Sequence, residues 1–281
     1  MMLGASALMA VTSLLAKALG RGLHGPELHP LQVSAGRFCF ALLGLSVVGL
    51  WLRPHFGGAA WSLHAARTFC GWLSVSCMFA AAARMPLADA TAITFLSPLA
   101  TMALAIPLLG ERVRPMRWLA AGIAVAGALI LIRPGAATFQ PAALIALAAA
   151  LFMGIEVIFI KQLSGREPPI RILLINNAMG ALISAAAAAL VWIAPSPSQW
   201  AMLGLLGLVM ACAQSLFIQA MKAAEAGHVV PVTYATLVFA ALYDLSVFGD
   251  FPDALSQIGM LIILAGLMLL ALRGAGTGSS R

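Results

Sequence analysis

The sequence predicts an all-α polytopic membrane protein: ten transmembrane helices in two inverted five-helix repeats. Three observations point there. Of 281 residues, 62% are hydrophobic and 9% charged, with a mean hydropathy of +1.01. A soluble domain carries roughly 25% charged residues, so the polar surface here is too small to coat a body in water. Ten apolar runs approach or reach the length of about 20 residues that crosses a bilayer as a helix. The chain also echoes itself at a shift of 139 residues.

In chain order the candidate spans are 2–19, 31–51, 66–84, 88–109, 115–132, 140–162, 170–193, 199–221, 227–248 and 253–272. Turn-prone or charged stretches such as "GRGLHGPELHP", "RPHFGGAAWS", "GERVRP", "SGREPP" and "APSPS" separate most of them. The breaks at "ARMPLAD" and "KAAEAGH" are tighter and predict close hairpins. Runs this long and this apolar satisfy their backbone groups as helices, not as barrel strands. The first run begins at Met2 with no basic segment before it. With so many runs following, it reads as a spanning helix rather than a cleaved signal.

The shift of 139 lays Gly110-Glu111 on Gly249-Asp250, Ala126-Gly127 on Ala265-Gly266 and Ile123 on Ile262. Two repeats result, 1–135 and 136–281, each with five spans. An odd number of spans reverses the direction of travel, so the halves run through the bilayer in opposite senses. Transporters built this way hold their substrate site near the midplane between the halves.

Loop charge sets the orientation. With the N-terminus in the cytoplasm, eleven Lys and Arg fall on the inside and four (Lys17, Arg21, Arg84, Arg133) on the outside, with Arg37 left within a span. Both termini are therefore expected in the cytoplasm. The formal charge of +7 reflects these basic loops and implies no nucleic acid. Trp51, Trp118, Trp192 and Trp200 fall near span ends, where interfacial anchors belong, while Trp61 reads as a loop residue. Cys39, Cys70, Cys77 and Cys212 lie in apolar runs, form no metal-ligand spacing, and read as packing thiols.

The segments "ARMPLADATAITFLSPLATMALAIPLLGERVRPMRWLAAGIAVAGALILIRPG" and "AMKAAEAGHVVPVTYATLVFAALYDLSVFGDFPDALSQIGMLIILAGLMLLALR" resemble the EamA-type repeat of the drug/metabolite transporter superfamily. The carriers of that pattern are a proline-containing fourth helix, a Gly-Glu turn and a closing "RPG". The second half departs from it by placing Asp250 where Glu is usual, which keeps the charge. The resemblance implies a bacterial inner-membrane carrier working by alternating access on a small polar or amphipathic metabolite. Amino acids, nucleosides, vitamins and adenosyl-methionine-like solutes are the candidate classes, with proton or ion coupling open. It implies no cofactor and no enzyme activity. No HExxH is present, and the five histidines lie in loops or at span edges, so the chain also lacks the patterns of an intramembrane enzyme. A structural or sensory membrane protein is the remaining alternative.

Glu156 stands in "LFMGIEVIFIKQL", near the middle of the sixth span. A carboxylate there is protonated, paired across helices, or exposed to a wet cavity. It reads either as a hydrogen-bonded structural acid or as a ligand for a cationic group of the solute or a coupling proton. Asp244, in the ninth span, is a second candidate of the same kind. Arg37 lies about 9 Å into its helix and needs an acid or a wet cavity. Lys17 and Lys161 close the first span of each half and read either as snorkelling cations or as gating groups. Trp72 and Tyr234 fall on the third and ninth spans, which line the central cavity in the family the chain resembles. Ser97, Asn177 and Gln214 offer hydrogen bonds to a solute or between helices. Asp250, after Gly249, is expected to cap the last helix.

Overall fold

A computed structural model describes residues 1–109, 115–133, 140–164, 166–223 and 232–275. These residues form helices and connecting turns, with no strand among them. The helices are α1 (Met2–Gly20), α2 (Pro30–Leu52), α3 (Trp61–Ala82), α4 (Leu87–Thr94), α5 (Ser97–Leu109), α6 (Pro115–Ile132), α7 (Pro141–Ser164), α8 (Pro169–Ala189), α9 (Pro197–Ala223), α10 (Ala235–Phe248) and α11 (Ala254–Ala275). Five of them begin on proline, whose fixed φ suits the first helical position and whose missing N–H is not needed there. Among the described residues, eight helical segments are long and apolar enough to cross a membrane, with Ala235–Phe248 a shorter apolar helix beside them. The chain is a multi-pass membrane protein.

The fourth span is not continuous. It breaks between α4 and α5 at Phe95 and Leu96. Pro98 cannot donate to the Thr94 carbonyl, and the chain tightens there through Leu96 N–H to Ile93 O (3.0 Å) and Leu99 N–H to Leu96 O (2.9 Å). The ninth span has its own break, at Tyr234, immediately before α10. Phe95 and Tyr234 are 139 residues apart, and their rings meet edge-on at 5.4 Å. The two interruptions thus sit at repeat-equivalent positions and touch. Pro231, Gly110-Glu111 and the "RPG" at 133–135 fall wholly or partly outside the described residues.

Packing follows the same correspondence. α1 packs on α9 as α7 packs on α3; α5 packs on α7 as α10 packs on α1; α2 packs on α8, and α6 on α11. The α6–α11 contact is close because glycines lie in it. A Cβ on Gly127 would stand 2.7 Å from the Gly259 carbonyl oxygen, and one on Gly266 would stand 2.6 Å from the Ala124 nitrogen. Those atoms are backbone and have no room to yield. The main apolar core gathers here, including Ile93, Leu96, Ala124, Leu131, Leu237 and Ile263.

Hydrogen bonds sort the loops to two ends. At the first end Ser196 donates to the His24 carbonyl, Gln199 to Pro26, Gln32 to Ile193 and Arg21 to Ala83. At the second end the Ala60 N–H donates to Glu167 and Arg171 donates to the Gly57 carbonyl. Two expectations are corrected here. α3 begins at Trp61, not at 66, so Trp61 is helical rather than a loop residue, and Arg67, expected at the start of the span, lies well inside it. Asp250 does not cap α11. Asp253 does, accepting from the Ser256 N–H at 2.9 Å, while Asp250 turns to Lys17 and Arg21.

Candidate functional site

Arg67, Gly71 and Ser74 follow one another at helical spacing along one face of α3, and that face meets α7. Ser74 Oγ donates to the Ala149 carbonyl at 2.9 Å. Less than one turn along α3, the Glu156 carboxylate lies against Gly71, where a Cβ would stand 2.9 Å from its carboxyl carbon. The absent side chain lets the acid rest on bare backbone. Arg67 Nη2 stands 3.5 Å from Glu156 Oε1, and Arg67 Nη1 donates to the Ile172 carbonyl of α8 at 3.3 Å. Arg37, from α2, is near enough to act electrostatically on both Glu156 and Arg67, and its guanidinium lies 4.5 Å over the Phe38 ring. Arg37 and Arg67 are each 5% exposed and the Glu156 side chain 18%. Four helices (α2, α3, α7 and α8) therefore hold one carboxylate and two guanidinium groups inside the bundle.

The 3.5 Å separation is longer than the roughly 2.7–2.9 Å of a tight charge-assisted hydrogen bond. Arg37 Nη1 and Arg67 Nε are buried and have no hydrogen-bond partner among the described residues. Buried donors of this kind cost free energy until something accepts from them.

A second ionic cluster ties α1 to α10 at the first end. Lys17 Nζ stands 2.5 Å and 2.7 Å from the two Asp244 oxygens and 2.9 Å from Asp250. Lys17 is 0% exposed and Asp244 1%. Asp244 also accepts from the Leu87 N–H at 2.8 Å, and Arg21 reaches Asp250 at 2.7 Å. Lys17 is therefore no snorkelling cation: its charge is sequestered between two acids and the Phe248 ring, 5.0 Å away. Burial alone would raise the Asp250 carboxyl, but Lys17 and Arg21 outweigh it and hold it below the ordinary carboxylate range. Lys17 and Glu156 are 139 residues apart, so the two clusters are centred on repeat-equivalent positions that carry opposite charge.

The family model described as the EamA-like transporter family matches residues 1–133 and again 140–272. The chain belongs to the EamA-like transporter family. It is 27% identical to an S-adenosylmethionine uptake transporter of Rickettsia bellii, over 88% of this chain and 85% of that one. It is 31% identical to a riboflavin transporter of Rhizobium johnstonii, over 83% and 76%, and 29% identical to a pseudopaline exporter of Pseudomonas aeruginosa, over 73% of each. One solved crystal structure matches at a TM-score of 0.66 and 21% identity, over 99% of this chain and 98% of that one, which shows the same fold.

Within this EamA-family bundle the remaining candidates are dispersed. Trp72 is half-buried on the α3 face bounded by Thr68, which donates to Asn176, and Ser76, which donates to Ser34. That direction is about 140° round the helix from Arg67. Trp72 Nε1 is buried without a partner among the described residues, and its ring lies 5.9 Å from Phe69. Tyr234 is half-buried against Phe95 and the main core. Asn177 turns its amide back to the Leu173 carbonyl of its own helix at 2.9 Å. Ser97 is buried at the start of α5, and its carbonyl accepts from Thr101. Gln214 Oε1 is a third kind of buried atom with no partner among the described residues, on α9. Lys161 lies exposed beside a cavity of about 210 Å³ that Arg117 and Met102 also line. A larger cavity of about 580 Å³ opens at the first end among Arg21, Glu27, His29 and Arg84, and Glu156 does not line it.

Sequence reasoning missed three groups. Arg67 was placed at the very start of the third span and counted only among the cytoplasmic cations, although the 67, 71, 74 spacing was its signal. Asp89 lies buried in α4 and accepts from Ser256 of α11 at 3.1 Å. His64 pairs with Glu167 at 3.0 Å at the second end. Burial raises the Glu167 carboxyl, but the Ala60 N–H, His64 and Arg171 together hold it below the ordinary range.

Proposed function

We propose that the protein is a secondary transporter of the bacterial inner membrane that moves a small polar or amphipathic metabolite by alternating access. The halves 1–135 and 136–281 act as two inverted five-helix repeats, ten spans in all, with both termini in the cytoplasm. Glu156 binds a cationic group of the solute or a coupling proton, with Arg37 and Arg67 as its electrostatic partners. Trp72, Tyr234, Asn177, Gln214 and Ser97 supply the rest of the solute path. Lys17 and Asp244 form a latch at the periplasmic end, and Lys161 stands at the cytoplasmic end.

The observation that supports this best is the buried cluster of Glu156, Arg67 and Arg37. Ionisable groups within spanning segments are expensive and mark solute or ion pathways. The cluster is loosely paired and lies where helices of both halves meet, the usual place for a transporter site. Of the candidate classes, the adenosyl-methionine-like and vitamin classes are those that the relatives' names, S-adenosylmethionine and riboflavin, support; amino acids and nucleosides rest on the family resemblance alone. The test has two steps. Purified protein is screened by thermal shift against a metabolite library, because a ligand of the folded state raises its stability by mass action. Each stabilising solute is then assayed for flux in proteoliposomes. Saturable flux of at least one of them is expected. Binding without flux of any would favour a sensory membrane protein instead.

A further inference from the structure

The buried cluster has an uneven charge. Arg37 and Arg67 bring two positive charges and Glu156 one negative, leaving one positive charge inside the bundle. The hydrogen-bond inventory is uneven in the same direction. Arg37 Nη1 and Arg67 Nε are donors with no acceptor among the described residues. A guanidinium has N–H groups only, so nothing but an acceptor satisfies them. Charge and hydrogen bonding thus ask for the same thing, an anionic oxygen ligand.

Resting on the transporter reading above, we infer that the solute carries a carboxylate, which docks between Arg37 and Arg67. The protein's own acid does not fill that role. Glu156 lies 3.5 Å from Arg67 Nη2, too far for a tight hydrogen bond, while Arg67 Nε stays unsatisfied. Glu156 also rests against Gly71, with no side chain between it and the α3 backbone. An entering carboxylate takes the guanidinium N–H groups in the planar, forked geometry that arginine favours. Glu156 is then released from Arg67 and left as an acceptor for the rest of the solute. The structure thus assigns two duties to three residues: the arginines read the carboxylate, and Glu156 holds the solute-free state in charge balance with Arg67.

The experiment uses the full chain in lipid nanodiscs and a thermal-shift panel of named probes. The panel holds the twenty amino acids, each as free acid and as amide, with S-adenosylmethionine and riboflavin added. Stabilisation is expected from a subset of free acids or from S-adenosylmethionine, and not from riboflavin, which has no carboxylate. The matching amide binds at least about tenfold more weakly, the loss expected for a charge-assisted hydrogen bond. In Arg67→Gln and Arg37→Gln the distinction between acid and amide disappears. If either variant fails to fold, the acid-to-amide ratio of the parent decides alone. Acid and amide stabilising equally, or no carboxylate stabilising at all, overturns the inference. Riboflavin stabilising and crossing proteoliposome membranes would overturn it while leaving the transporter reading intact. Absence of flux for every solute would instead count against the transporter reading.

Discussion

Lys17→Met tests whether the buried first-end cluster acts as a single ionic unit. Methionine nearly matches the lysine stem and removes only the charged head. The change deletes the contacts at 2.5 Å and 2.7 Å to Asp244 and at 2.9 Å to Asp250. Arg21 still holds Asp250. Asp244, 1% exposed, keeps only the Leu87 N–H among the partners described. Leaving one member of a buried pair uncompensated costs about 3–5 kcal/mol. Adding Asp244→Asn removes the stranded charge and keeps an oxygen for Leu87. The double variant should therefore regain much of the loss, with a coupling on the order of 2–3 kcal/mol. Denaturant unfolding in mixed micelles measures all four corners of this cycle. A Lys17→Met cost below about 1 kcal/mol, or costs that simply add, would refute the account of a tightly coupled buried pair.

Gly127→Ala places a methyl group 2.7 Å from the Gly259 carbonyl. It should force α6 off α11 and cost about 1–3 kcal/mol, read as a lower melting temperature; an unchanged melt would mean the two helices separate freely. At the first end, Arg133 and Ser256 hold the Asp253 carboxyl down to about 2. A depressed carboxyl contributes stability that is complete above its unfolded pKa of about 3.9 and is lost as pH falls through the folded value. Because the Asp253 side chain is 56% exposed, the contribution is at most about 1 kcal/mol. The stability gap between parent and Asp253→Asn should be constant above about pH 5 and close toward pH 2; a gap that widens on acidification contradicts the pairing.

Much of the fold was legible because lipid leaves few choices. Apolar runs gave the spans, and the echo at 139 residues suggested two repeats; the family model matches 1–133 and again 140–272. Boundaries failed where polarity and helix coexist. The start of α3, "WSLHA", is too polar to read as a span, yet His64 is buried by Glu167 of the 166–168 turn, and Arg67 by partners on α7 and α8. Pro98 was legible as a possible kink in the fourth span; that it would interrupt the helix at Phe95 and Leu96 rather than bend it was not. Glu156 and Arg37 were legible as isolated costs. Their common partner was not, because the pairing runs through tertiary contact between α3 and α7. Lys17 and Asp244 were each visible, but their union across 227 residues was not.

The most direct test of the central claim is uptake into proteoliposomes of a solute found by thermal shift, comparing the parent with Glu156→Gln across a range of pH. Glutamine keeps the shape and hydrogen bonding of the side chain and removes its charge. The account predicts uptake lowered by about tenfold or more, the effect of losing roughly 1.4 kcal/mol at the site, together with an altered pH profile. Glu156→Gln matching the parent in both rate and pH profile would contradict it and return Glu156 to a structural role.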